Sequence, residues 1–262
     1  MKRRDWPFFV GLSLLGGLYV ALILAMLIAD VASTSPGHLI DALRVPEIRA
    51  ALWLSLISSS AASILAIWVA VPLGYLLART RFPGRRLLEV LLEVPVVLPP
   101  LVVGLSLLIL CQSAPGRAIQ DVVTITYAVP AVVLAQFTIA AAFATRTMRN
   151  TFEQISPRTE WMARSLGCTR AMAFWRITLP EARRGILAAL TLAWARSLGE
   201  FGPVLIFAGV TRYRTEVLPT TVFLELSVGN VETAVAVSML LILVSCVVLG
   251  LLRLAFGSQA TI

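Results

Sequence analysis

Six stretches of this chain are apolar over about 18 residues or more, the length an α-helix needs to cross the ~30 Å hydrocarbon layer of a bilayer. They run near Trp6–Ala29, Ala50–Leu77, Leu87–Cys111, Tyr127–Ala144, Ile186–Gly209 and Val231–Leu252. In hydrocarbon every backbone amide must find its hydrogen bond within the protein, so such stretches become helices unless they close a barrel. The composition agrees: 58% of the 262 residues are hydrophobic and only 14% are charged, against about 25% charged in soluble domains. The expectation is an all-α integral membrane protein, six transmembrane helices forming a single domain over residues 1–262.

The first stretch follows Lys2, Arg3 and Arg4, as a signal peptide would. Its apolar run reaches Ala29, well past the ~7–15 residues of a signal h-region, so it reads as a retained span. Sixteen of the 22 basic residues lie at the N-terminus, in the second loop (Arg79, Arg81, Arg85, Arg86), in the fourth loop and at Arg253. The alternate loops hold Arg44, Arg49, Arg117, Arg212 and Arg214, and Arg196 falls inside a span. Cytoplasmic loops concentrate Lys and Arg, which predicts a multi-pass protein of the cell membrane with both termini in the cytoplasm. The net charge of +8 is then a topology signal. Without a recognised reader motif, no nucleic-acid partner is expected.

Several chemistries are excluded. Cys111, Cys168 and Cys246 lack metal or disulfide spacing, and His38 is the one histidine, so no metal site is expected. Lys2 is the only lysine, so the chain cannot contain a G-x-x-x-x-G-K-[ST] phosphate loop. No Ser/His/Asp or Cys/His nucleophile arrangement falls within the spans. The chain is expected to be no enzyme and to bind no cofactor itself.

The pentapeptide ARSLG occurs twice, at Ala163–Gly167 in the fourth loop and at Ala195–Gly199 in the fifth apolar stretch. The residues that follow, CTRAMAF and EFGPVLI, share nothing, so the two copies are not a repeat. The fourth loop, about Arg146–Arg184, is too long for a plain connector. Ser156 followed by Pro157 signals a helix start. Met162, Ala163 and Leu166 are expected on one side of that helix, with Gly167 ending it in a left-handed conformation. Thr169 can cap a second short helix carrying Ala173, Phe174 and Ile177, stopped by Pro180. Periodicity alone suits both docking into a groove of another protein and lying on lipid headgroups.

Gly167, nine residues, then Ile177-Thr178-Leu179-Pro180 resembles the cytoplasmic E-A-A-x3-G-x9-I-x-L-P loop of ABC importer permeases. The match holds at Ala163, Gly167, Ile177, Leu179 and Pro180. It departs where Trp161 and Met162 stand for the Glu and first Ala, with Glu160 the nearest carboxylate. The resemblance implies that this loop couples to an ATPase subunit through Glu160, Ala163, Leu166, Gly167, Ile177, Leu179 and Pro180.

Arg196 and Glu200, four apart, are expected on one helix face inside an apolar span. An intramembrane charge is a candidate functional site; the pair could equally serve only to neutralise itself. Ser197, Gly199 and Gly202 favour close helix approach, and Gly202-Pro203 weakens the helix. ARSLGEFGPVLIFAG is similar to the fifth-span signature of molybdate/tungstate and sulfate permeases. Glu93–Gly104, EVPVVLPPLVVG, resembles their third-span motif, its Pro99-Pro100 closer to the molybdate type. The pathway or gate candidates are therefore Pro99, Pro100, Arg196, Glu200, Gly202 and Pro203. A proline pair removes helical hydrogen bonds, either as a packing kink or where backbone lines a cavity. Glu89 and Glu93 are expected near the headgroup zone. Val217, Leu218, Val222, Phe223 and Leu226 around Pro219 suggest a helix on the outer membrane surface, or part of the rim that a substrate-delivering protein touches.

What the resemblance implies is a permease subunit of an ABC importer. It moves a tetrahedral oxyanion, molybdate or tungstate, by alternating access, with a sulfate or thiosulfate permease as the alternative. Implied partners are two copies of an ATPase subunit that holds ATP and Mg2+, an extracytoplasmic oxyanion-binding protein, a second permease copy in a homodimer, and membrane lipid. An ion-coupled secondary transporter using Arg196 and Glu200 is the reading from another class, although no duplicated broken helices support it.

Overall fold

The computed structural model describes residues 6–33 and 36–257; Lys2, Arg3 and Arg4, on which the N-terminal topology signal rests, lie outside the described residues, as does the side chain of Arg253. Every regular element among the described residues is helical. Helices α1 (Trp6–Ser33), α2 (Pro36–Arg44) and α3 (Pro46–Arg79) lead to α4 (Arg85–Val97), α5 (Pro100–Gln112), α6 (Ala114–Gln120) and α7 (Val129–Gln154). A loop segment follows with α8 (Pro157–Ser165), α9 (Arg170–Ala173), a π turn at Phe174–Thr178 and α10 (Leu179–Glu181). The chain ends in α11 (Arg183–Leu198), α12 (Gly202–Phe207), α13 (Leu218–Ser227) and α14 (Val231–Gly257).

Four of these, within α1, α3, α7 and α14, are long and apolar enough to cross a bilayer uninterrupted. The expected third span, Leu87–Cys111, bends by 114° between α4 and α5 and counts as a fifth only if the bent pair is one span. The cause is local. A residue before proline is driven to extended backbone, and Leu98 (ψ 141°) and Pro99 (ψ 135°) both precede one. The expected fifth span, Ile186–Gly209, likewise divides into α11 and α12 at residues 199–201.

The core is the bundle of α3, α7 and α11. Small residues bring these backbones close, as in membrane helix packing generally: Ala66, Ala70, Ala140, Ala144, Ala189 and Ala193 are buried in one cluster. A Cβ on Gly74 would come within 2.7 Å of Met148 Cβ, and one on Gly185 would overlap the Thr151 side chain, so both positions hold helices at closest approach. By contrast α1 exposes nearly all its described side chains.

The expected surface helix around Pro219 is inside the fold instead. Val217 and Leu218 are fully buried; Val217 packs with Ala131 and Val204, and Leu218 with Val237 and Leu240. The Leu218 N–H donates to Ser55 Oγ of α3 at 2.8 Å, pinning the start of α13 to the bundle. Only Phe223 and Leu226 of the expected apolar face are exposed.

Candidate functional site: an outward turn and two facing helix breaks

At one end of the bundle the chain from Ser156 to Pro180 forms a compact loop. Ser156 Oγ accepts from the Arg158 N–H at 3.4 Å, capping α8. Gly167 adopts φ +93°, and the Cys168 N–H returns to the Ala163 carbonyl at 3.0 Å, a Schellman-type termination that favours glycine. Thr169 Oγ1 then accepts from the Met172 N–H at 3.2 Å, opening α9. The second helix is shorter than expected. After one turn it widens into the π turn holding Phe174 and Ile177.

The loop has an inner and an outer face. On the inner face Glu160 accepts from Arg79 Nε at 3.1 Å, Tyr75 Oη at 3.0 Å and Thr178 Oγ1 at 2.9 Å. Arg79 also donates to the Ile155 carbonyl at 2.8 Å, and Tyr75 meets Phe152 and Phe174 edge-on. The Arg79 and Glu160 side chains are both well buried, so this charge pair fastens α8 and the π turn to the ends of α3 and α7. Glu160 is thus spent inside the chain. Ala163 also points inward, separating it from Met162 and Leu166, which the sequence pattern placed on the same side. Ile177 and Leu179 are half-buried in the seam leading to α11.

The outer face presents large apolar side chains among the exposed arginines Arg158, Arg164, Arg170 and Arg176. Trp161, Met162, Leu166 and Trp175 are all exposed, Leu166 at 87%. Trp161 and Met162, read from sequence as departures from a motif, are part of this surface. Arg79, Tyr75 and Thr178 were missed because their partner is distant in sequence; a basic residue at the end of an apolar helix was the one available signal.

The other candidates meet where the two helix breaks face each other, with Pro99 and Pro100 exposed and Gly202 and Pro203 buried. A Cβ on Gly202 would lie 2.7 Å from Pro100 Cβ, and one on Gly104 would lie 2.8 Å from Pro203 Cα. The start of α5 and the start of α12 therefore touch backbone to backbone, joining Pro100 to Gly202-Pro203. Pro99 caps α5 from the extended linker. Arg196 and Glu200 are not on one helix face: α11 ends at Leu198, and Glu200 lies in the break. Arg196 Nη2 is 3.7 Å from Glu200 Oε2, with the arginine side chain 45% exposed and the glutamate 4%. The guanidinium also sits 4.9 Å from the centre of the Phe143 ring, a cation–π distance. Among the described residues no group of His, Cys, Asp and Glu could hold a metal ion.

Comparison with known proteins decides the family. Residues 70–258, most of the chain, match the family described as binding-protein-dependent transport system inner membrane component. The chain belongs to this family of ABC permeases. The permease is 31% identical to the sulfate transport system permease protein CysT of Salmonella typhimurium, over 95% of this chain and 92% of that protein. It is 35% identical to the molybdenum transport system permease protein ModB of Mycobacterium bovis, over 78% of this chain and 79% of that one. Its fold resembles a chain in the crystal structure of a bacterial alginate ABC transporter in complex with an alginate pentasaccharide-bound periplasmic protein. The TM-score is 0.77 at 15% identity, covering 96% of the permease and 94% of that chain.

Proposed function

We propose that the permease carries a tetrahedral oxyanion, molybdate or tungstate, into the cytoplasm, driven by a separate ATPase. The observation that carries the reading is the outer face of the α8–α9 turn. Trp161, Met162, Leu166 and Trp175 stand out from a loop whose inner face is locked by Glu160 and Arg79. A stiffly mounted apolar knob at a bundle's end suits a groove in a partner that pushes and pulls it. That partner is the ATPase subunit, in two copies that bind ATP and Mg2+, each engaging one copy of a permease homodimer. The loop end then faces the cytoplasm with both termini. An oxyanion-binding protein delivers substrate from the other side.

Within each permease copy the α5–α12 contact is the proposed moving joint. Four residues, Pro100, Gly104, Gly202 and Pro203, let two helix starts touch with no side chain between them. Rigid loop motion transmitted along α11 reaches this contact through the break at 199–201. Glu200 within that break and Arg196 on the last turn of α11 are the gate candidates.

Molybdate and tungstate are preferred because the double proline at Pro99-Pro100 resembles the molybdate type. A sulfate reading is favoured by one observation, the longer match to the sulfate relative. Uptake of labelled molybdate into cells expressing the permease with its ATPase and binding protein separates them. Competition by tungstate but not by sulfate is expected, and competition by sulfate alone would reassign the substrate. For orientation, a cysteine replacing the exposed Val122 should react with an impermeant thiol reagent in intact cells, while one replacing Arg81 should not.

A further inference from the structure

An open cleft of about 520 Å³ lies at the loop end, between the start of α4 and the end of α7. Its charged lining is Arg81, Arg85, Arg86, Arg149 and Glu89, beside Phe82. The acidic groups are already used. Glu89 accepts from Arg85 at 2.8 Å and lies 3.4 Å from Arg149, while Glu153 at the rim pairs with Arg149 at 2.9 Å and lies 4.0 Å from Arg85. Arg81 and Arg86 are exposed and form no ion pair among the described residues. Two guanidinium groups are thus left facing a cleft of a size that suits a small ligand.

The neighbouring surface states what kind of ligand. Beyond Arg86 the exposed side of α4 is mainly apolar, with Leu87, Val90, Leu91 and Val97 uncovered and Glu93 the one exposed charge among them. Basic groups at one end and bare aliphatic side chains along the same helix match an amphiphile lying with its head in the cleft and its chains along α4. A free oxyanion would use the arginines and leave that apolar side without a purpose.

We propose that this cleft binds the phosphodiester headgroup of an anionic phospholipid, held by Arg81 and Arg86. The site rests on the reading that the loop end faces the cytoplasm, where basic pockets between helices meet anionic headgroups. Arginine suits the task because its planar fork donates two parallel hydrogen bonds to one phosphate. The Arg85–Glu89–Arg149–Glu153 set holds the cleft's shape by tying α4 to α7.

The test uses the purified permease–ATPase complex in a neutral detergent, following thermal unfolding and lipid binding on addition of phosphatidylglycerol, phosphatidylcholine, inorganic phosphate or molybdate. Phosphatidylglycerol should raise the unfolding temperature and the other three should not. With about fivefold in affinity for each basic residue at an anionic surface, R81Q/R86Q should weaken phosphatidylglycerol binding by about thirtyfold. R81K/R86K, which keeps the charge, should retain most of it. Equal protection by phosphatidylcholine, an unchanged response in R81Q/R86Q, or equal protection by phosphate or molybdate would overturn the proposal. Should R81Q/R86Q fail to assemble, the wild-type contrast between the two lipids decides alone. None of these outcomes depends on which oxyanion is transported, so transport and lipid binding fail separately.

Discussion

The two ARSLG copies are identical in sequence and end a helix each, yet they do opposite things. Leu166 of the first copy is 87% exposed and Leu198 of the second is 2% exposed. Gly167 turns the chain back at φ +93°, whereas Gly199 stays at φ −83° and leads on into the break before α12. Each copy also has an Arg–Glu pair beside it. Arg79 and Glu160 are both buried and hydrogen-bonded; Arg196 and Glu200 are 3.7 Å apart with the arginine half-exposed. Five residues can terminate a helix by their own chemistry, but the surroundings decide whether the terminus is exposed or buried.

The difference between the pairs gives the largest expected effect. Glu160→Leu strands Arg79 without its carboxylate in a buried setting, which costs ~3–5 kcal/mol. Thermal unfolding of the purified permease should drop sharply. Glu200→Leu, which frees a half-exposed arginine, should lower it much less; equal losses would erase the distinction between an anchoring pair and a loose one.

The two leucines come next. Leu198→Ala leaves a cavity in packed surroundings and is expected to cost ~2–5 kcal/mol. Leu166→Ala should leave unfolding unchanged while weakening co-purification with the ATPase. A stability loss at Leu166 would mean the turn is packed rather than presented.

The glycines sharpen the contrast further. Gly167→Ala places a side chain in left-handed backbone at about 1–2 kcal/mol, although space is open around it. Gly199→Ala meets nothing nearer than the Ala195 carbonyl at 3.7 Å, and should be neutral or stabilise by ~0.4–1 kcal/mol. Paired unfolding curves of the two variants check the opposite signs.

The smallest effect probes how dry the fold is beyond the second copy. Burial pushes the Glu216 carboxyl above its usual range, outweighing the opposing pull of Thr221 and of the nearby Arg212. Its Oε2 has no partner among the described residues. A carboxyl raised in the folded chain favours folding while protonated and loses that advantage as pH climbs from the ordinary value of about 4.3 toward the raised one. Glu216→Gln should therefore gain on the wild type over that interval and hold its gain above it. A pH-independent difference would place water at Glu216.

Much of this contrast was legible in the sequence because helix ends are decided locally. Ser156, Gly167, Thr169 and the Pro99-Pro100 break all act within a few residues, and all act as their chemistry predicts. The rest depends on distant partners. Arg79 meets Glu160 across 81 residues, and nothing in either neighbourhood announces it. Hydropathy cannot tell lipid from protein interior, since both are apolar. For that reason Val217 and Leu218 read as a membrane-surface face when they are core. The same blindness hid the 114° bend: prolines mark where a helix stops, and packing of α5 on α12 sets where the chain goes next.

The central claim is that the first copy is presented to the ATPase while the second is not. A photo-crosslinking residue at position 166, with a control at the exposed Leu192 of α11, tests it in the assembled transporter. Position 166 should give a covalent product with the ATPase subunit, and position 192 should not. A product at position 166 with lipid only, alongside an intact assembled ATPase, would contradict the account.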